Sequence, residues 1–231
     1  MEILSIIPAR GGSKGIKRKN VQPILGKPLV AYSIEASLKS KYITRTIVSS
    51  EDDEILEISK NFGAEVMRRP MELAQDVTKT APVMIDVVQK LAKEGYNPDY
   101  TVLLQPTCPL RDEKFIDNAF EFYFENMKNG YDSCFNVFSM GVTHAKWRLL
   151  HDNTMQALYD YRNSPRRQDK DDHYKMLCET GAFYALPTKT MLEVKDFIGY
   201  NPVPYITPKV IDIDTIEDFK KVEEILTNEH N

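Results

Sequence analysis

Short apolar runs rich in Ile and Val alternate with stretches whose apolar residues recur every three or four positions, the pattern of a parallel sheet covered on both faces by helices. The first strand is predicted over Ile3 to Pro8. Past a Gly- and Lys-rich loop, Pro28 stands where a helix can begin, and Leu29, Tyr32, Ile34, Ala36 and Leu38 carry it to Lys41. A strand at Thr44 to Ser49 follows, then Glu51-Asp52-Asp53 loads acid onto the first turn of a helix that ends at Gly63. Further strands are expected at Glu65 to Met67, Tyr100 to Leu104 and Asp132 to Phe138, with helices at Thr78 to Gly95, Asp112 to Met127 and Thr215 to Leu226. Between Ser139 and Thr180 the periodicity breaks down into a polar, turn-rich excursion that holds the only Trp.

Composition narrows the class. The 231 residues carry 30 Lys and Arg against 34 Asp and Glu, a formal charge of −4, with 42% hydrophobic and 28% charged residues. That is a soluble globular balance, which excludes disorder, collagen and coiled coil and argues against a nucleic-acid partner, for which a strongly basic face is usual. The length suits one domain, expected to span 1–231. Three widely spaced cysteines without a CxxC pair fit a reduced, cytoplasmic setting rather than a zinc site or a disulfide framework. The first apolar run follows Glu2 and meets Pro8-Ala9-Arg10, too short for a signal peptide or membrane span, so no membrane partner is expected.

Three segments carry chemistry. Directly after the first strand comes Pro8-Ala9-Arg10-Gly11-Gly12-Ser13-Lys14-Gly15-Ile16-Lys17-Arg18-Lys19-Asn20. Glycines let backbone N–H groups approach a phosphate, and Arg and Lys neutralise it, at the strand end where open α/β sheets bind such ligands. It is neither a P-loop, since Gly15 follows Lys14, nor the dinucleotide fingerprint, since Arg10 replaces the first Gly. The second segment, Ile211-Asp212-Ile213-Asp214, places two carboxylates on one face of an extended chain, a candidate Mg²⁺ pair; a capping-box-like start to the last helix, Asp214 with Glu217, is the competing use of one of them. The third, Leu104-Gln105-Pro106-Thr107-Cys108-Pro109-Leu110-Arg111, closes a central strand, with Gln105 and Arg111 available to read a polar substrate. Cys108 has no His near it in sequence and is not expected to be a nucleophile, and His144, His151, His173 and His230 show no metal spacing.

Together IPARGGSKGIKRKN, LQPTCPLR and IDIDT resemble the N-acylneuraminate cytidylyltransferase family, the CMP-sialic acid synthetases, over essentially the whole chain. The resemblance implies a Rossmann-like nucleotidyltransferase α/β fold, with a mostly parallel sheet flanked by helices and with 139–180 as a dimerisation segment of a homodimer. It implies that Arg10, Ser13, Lys14, Lys19 and Asn20 hold the triphosphate and ribose of CTP, and that Arg69 and Thr80 contact the cytidine. It assigns Mg²⁺ to Asp212 and Asp214, and the sugar acid to Gln105, Tyr184, and Lys146 and Arg167 reaching across to the partner subunit. Arg10, Lys14, Lys19, Asp212 and Asp214 are the residues it makes catalytic. Tyr184, within Ala182-Phe183-Tyr184-Ala185, also reads as a core residue. Family members usually carry Ser at Cys108 and Asn at Thr180, and the second departure falls in the sugar-acid half.

The expected reaction transfers CMP from CTP to the anomeric hydroxyl of a nonulosonic acid, releasing pyrophosphate. The competing readings are a cytidylyltransferase for legionaminic or pseudaminic acid or for Kdo, and a CTP-binding module without catalysis. A nicotinamide oxidoreductase is disfavoured by Arg10.

Overall fold

The structure, a computed structural model, describes residues 1–13, 15–141, 147–152, 154–170 and 175–229. Strand β1, Ile3–Pro8, is apolar toward both faces, so it needs cover on both. The hairpin β2 (Pro23–Ile24) and β3 (Lys27–Pro28) leads into α1, Leu29–Lys39, then β4, Arg45–Ser50. Helix α2, Asp53–Asn61, is capped by Asp52, whose carboxylate accepts the Ile55 N–H at 3.1 Å. After β5, Glu65–Arg68, come α3, Thr80–Lys93, and β6, Tyr100–Leu103. Asp112 caps α4, Glu113–Met127, through the Phe115 N–H at 2.7 Å, and β7, Ser133–Ser139, follows.

The excursion contains a small antiparallel hairpin, β8 (Trp147–Leu149) with β9 (Met155–Ala157). The chain then returns as β10, Leu177–Pro187, followed by α5, Thr188–Val194, β11, Pro202–Ile206, and α6, Ile216–Glu229. The predicted strands and helices all form, with ends shifted by a few residues. The alternation of strands and helices did not anticipate β10, α5 or β11.

Seven strands run in the order β11-β7-β10-β6-β1-β4-β5, and β10 alone among them is antiparallel to its neighbours. The sheet is therefore mostly parallel, with one reversed strand near its centre. Alternation along β1 sends Ile3 and Ile7 to one core with α1 and α4, and Leu4 and Ile6 to the other with α3 and α5. A third cluster packs Ile16 of the basic loop and Ile213 of the acidic segment against Val222 and Leu226 of α6. Each such aliphatic side chain contributes roughly 1.5–3 kcal/mol on burial. This cluster is what brings two segments nearly 200 residues apart in sequence to the same place.

Candidate active site

The chain runs from β1 outward to β4 and β5, then crosses to β6 on β1's other side, so β1 and β6 border the point where the sheet's winding reverses. Open α/β sheets hold ligands beyond the carboxyl ends of strands at such a point. Here the basic loop leaves β1 and the Gln105 loop leaves β6. The basic loop is anchored from behind: the Gly11 N–H donates to Glu51 at 2.7 Å, and Arg18, in the left-handed conformation at φ 59°, pairs with Asp52 and Glu54. The Arg18 guanidinium holds the Asp52 carboxyl below the usual range. A Cβ on Gly11 would lie 2.5 Å from that carboxylate, so only glycine lets the loop approach α2 this closely.

Arg10, Ser13, Lys19 and Asn20 from this loop line a cleft of about 260 Å³, faced by Arg69 and Thr80 and closed by Gln105 and Thr107. Six of the seven residues assigned to the nucleotide thus converge, and the seventh, Lys14, lies outside the described residues. Asn20 donates to the Arg10 carbonyl at 2.9 Å, and its own amide oxygen is buried without a partner among the described residues. Arg69 is buried with Nε 3.2 Å from Glu51, and burial lowers its pKa against the pull of that carboxylate. Its Nη2, also buried, has no hydrogen-bond acceptor among the described residues, a donor left in reserve. Arg10 pairs across the cleft with Asp76, a residue the sequence reading did not single out.

Lys19 links the basic loop to the acidic segment, donating to the Ile213 carbonyl at 2.5 Å and reaching Asp214 at 3.3 Å. Ile213 is buried, and its N–H donates to the Thr107 carbonyl at 2.8 Å, so Asp212 and Asp214 flank an inward-facing apolar residue as the alternation requires. Their environments differ. Asp214 is 78% exposed, whereas burial raises the Asp212 pKa against a hydrogen bond from Thr107, and the charge of Asp214 raises it further. One Asp212 oxygen is buried with no partner among the described residues. The capping role falls elsewhere than Asp214 and Glu217: Thr215 accepts the Asp218 N–H at 3.2 Å, and Asp218 accepts the Thr215 N–H at 2.9 Å. Helix α6 therefore begins without drawing on either side chain of the pair.

A second cavity of about 610 Å³ opens on the other side of Gln105, which borders both, and Asp212, Tyr184, Glu179 and Lys209 line it. Gly181, at φ 79°, allows the meeting: a Cβ there would stand 2.9 Å from Gln105 Oε1 and 3.2 Å from Asp212 Oδ2. Tyr184 is chiefly a core residue, 3% exposed, its ring between Phe135 and Phe197 and its hydroxyl donating to Glu179 at 2.9 Å. Thr180 is also turned inward, its hydroxyl bonded to Asn136.

Arg111 does not read a substrate. It is fully buried, donating from Nη1 to the carbonyls of Ala182 at 2.8 Å and Gln105 at 3.2 Å, and from Nη2 to Ser33 at 2.6 Å. It is a brace between the Gln105 loop and β10. Cys108 is buried too, and burial pushes its thiol up to about 12, which agrees with its exclusion as a nucleophile. Lys146 lies outside the described residues, and only the backbone of Arg167 is described, in the short 3-10 turn Arg167–Asp169. Of the four histidines, His144, His173 and His230 also lie outside the described residues, and His151 is exposed.

A basic, glycine-rich loop thus faces a carboxylate pair, with a second cavity beyond it. Residues 4–229 match the model of the cytidylyltransferase family. The chain belongs to that family. Among cytidylyltransferases it is 33% identical to the pseudaminic acid cytidylyltransferase of Campylobacter jejuni, over 95% of this chain and 94% of the relative. It is 32% identical to the N-acylneuraminate cytidylyltransferase of Escherichia coli O18:K1:H7, over 95% of this chain and 51% of that longer protein. The CMP-N,N'-diacetyllegionaminic acid synthase of Legionella pneumophila is 29% identical over 98% of this chain and 97% of its own. The fold matches a CMP:2-keto-3-deoxy-manno-octonic acid synthetase complexed with CTP, with a TM-score of 0.71, 16% identity, and 99% of this chain and 100% of that one covered. The expected cytidylyltransferase fold and nucleotidyltransferase class both hold.

Proposed function

We propose that this cytidylyltransferase transfers CMP from CTP to the anomeric hydroxyl of a nonulosonic acid. The observation that carries the reading is the meeting of two cavities at Gln105, beside the partly buried Asp212. The smaller, basic cleft receives CTP; the larger receives the acid. Arg10, Lys14 and Lys19 neutralise the triphosphate, and the reserved donor of Arg69 reads the cytosine or ribose. The anomeric oxygen bonds to the α-phosphorus as the bond to the bridging oxygen breaks; pyrophosphate leaves, and the hydroxyl proton passes to the medium. Holding the two reactants in line supplies much of the acceleration, and Arg10 and Lys19 stabilise the charge that grows on the leaving group.

The orphaned Asp212 oxygen, with Asp214 beside it, fits Mg²⁺, which takes one or two carboxylates and completes its shell with substrate phosphates. Among the described residues no group of three His, Cys, Asp or Glu gathers around a metal position, so substrate phosphates would have to complete the shell. When bound, the ion would neutralise phosphate charge and lower the pKa of the attacking hydroxyl. We assign the acid to the pseudaminic or legionaminic type rather than N-acetylneuraminate, on the full-length likeness to enzymes named for those two acids. The exposed Trp147, Leu149 and Met155 of the excursion support its use as a homodimer arm, and the cysteine usage supports a cytoplasmic setting.

The test is pyrophosphate release from CTP and Mg²⁺ against N-acetylneuraminic, legionaminic, pseudaminic and Kdo acids, with wild type and Asp212→Asn. Release with pseudaminic or legionaminic acid, lost at least about 100-fold in Asp212→Asn, is expected. CTP binding without release on any acid would overturn the reading in favour of a non-catalytic module.

A further inference from the structure

The larger cavity is lined by charged groups that no assignment above uses, Glu179, Lys209 and Lys221, and Glu179 is the one acid among them. Glu179 and Tyr184 are five residues apart, an odd spacing that on a regular strand would send them to opposite faces. The register of β10 against β7 shifts between them: Glu179 stands opposite Val137 and Tyr184 opposite Phe135. Val137 and Phe135 are two apart on β7 and share a face, so their partners share it as well. The bulge at Gly181 thus swings Glu179 onto the face of Tyr184, where the tyrosine hydroxyl donates to it at 2.9 Å. Because Tyr184 is locked between Phe135 and Phe197, that hydrogen bond fixes an otherwise exposed carboxylate against the cavity.

An ionised carboxylate only accepts hydrogen bonds, and the tyrosine has spent its single donor on it. The pair therefore presents acceptors alone and turns away any substrate group that has only lone pairs to offer. The carboxylate of a sugar acid is repelled from this wall, while Lys209 lines the same cavity with the opposite sign. Resting on the sugar-acid reading above, we infer that Glu179, held by Tyr184, is a specificity-determining residue that accepts a hydrogen bond from an amide N–H or hydroxyl on the sugar acid. A site built around such a bond rejects an analogue lacking the donor far more strongly than an apolar pocket rejects a missing methylene.

The experiment is steady-state kinetics of wild type, Glu179→Gln and Tyr184→Phe on the same four acids, with KM for CTP measured beside KM for the acid. Losing a charged hydrogen bond lowers kcat/KM for the accepted acid about 10- to 100-fold. Glu179→Gln is expected to do so with KM for CTP unchanged within about 2-fold, and to compress the ranking among the four acids. Tyr184→Phe keeps the ring and loses only the hold on the carboxylate, so a smaller loss in the same direction is expected. Wild-type turnover with Glu179→Gln inside about 2-fold on every acid would overturn this inference and leave the cytidylyl transfer standing. Loss of CTP and acid KM together would also overturn it, as a structural effect. Wild-type silence on every acid would instead overturn the function on which it rests.

Discussion

The Arg111 guanidinium and the Ala182 carbonyl are joined by a 2.8 Å hydrogen bond in the interior of the protein, and the same nitrogen reaches the Gln105 carbonyl at 3.2 Å. One buried cation thereby ties the loop that divides the two cavities to the strand that floors the larger one. Among the described residues no carboxylate pairs with it; two carbonyls and the Ser33 hydroxyl take its charge, and burial lowers its pKa to about 10, which leaves it protonated at neutral pH.

Arg111→Met relieves the burial of a charge and leaves the Ala182 carbonyl without its donor. With roughly 1.5–3 kcal/mol for each hydrogen bond to a charged group, we expect a net loss of about 2 kcal/mol. Urea unfolding measures it, and a rise in midpoint would show that desolvation of the cation outweighs its bonds. Lysine cannot reproduce the fork, so Arg111→Lys is expected to recover less than half of the loss.

Asp76 holds Arg10 across the smaller cleft, so a triphosphate bound there as proposed would compete for that guanidinium. Both partners are partly exposed, and such pairs contribute about 0.2–1 kcal/mol. Asp76→Asn is accordingly expected to lower KM for CTP about 2- to 5-fold at low ionic strength, with the gain fading as salt rises. A higher KM would mean that Asp76 serves the bound nucleotide instead.

A Cβ on Gly15 would press into the Asp214 carbonyl, a main-chain atom with little room to give. Gly15→Ala should push the basic loop and the acidic segment apart and break the 2.5 Å contact between Lys19 and the Ile213 carbonyl. The expected result is a rise of about 10-fold in KM for CTP, the size of one lost hydrogen bond to a charged group. Calorimetric titration with CTP tests it; unchanged affinity would show that the two segments need not touch.

Burial pushes Cys108 and Cys134 up to about 12, while Cys178 is exposed. At about pH 8 a thiol reagent is therefore expected to label Cys178 alone until the protein unfolds. Linkage gives a second signature: both folded pKa values lie above the unfolded value of about 8.5. The neutral thiols' contribution to stability is full below about pH 8.5 and is lost as pH rises through about 12, because the unfolded chain releases these protons first. Denaturant midpoints measured from pH 8 upward, with Cys134→Ala as the comparison, should show a shallower alkaline decline in the variant.

Much of the smaller cleft was legible because it is built from a contiguous stretch. Arg10, Ser13, Lys19 and Asn20 sit in one loop after one strand, and strand-then-basic-glycine-loop is a local pattern. The larger cavity is assembled differently. Glu179 drew no notice because it stands at the end of a polar stretch, and only a bulge on a strand that was not predicted turns it toward the cavity. Arg111 was misread as a reader of substrate because its surroundings, Ala182 and Ser33, come from more than 70 residues away on either side.

By itself the sequence determined the alternation of strands and helices, the two-sided burial of β1 and the three segments that come to border the two cavities, all of which depend on periodicity and residue type over short spans. The tertiary structure decided the rest: the reversed direction of β10, the joining of the basic loop to Asp214 through Lys19, and the division of space into two cavities at Gln105. These depend on long-range packing, above all the burial of Ile16 and Ile213 against α6, and no local pattern of residues encodes which distant partner a buried side chain will meet.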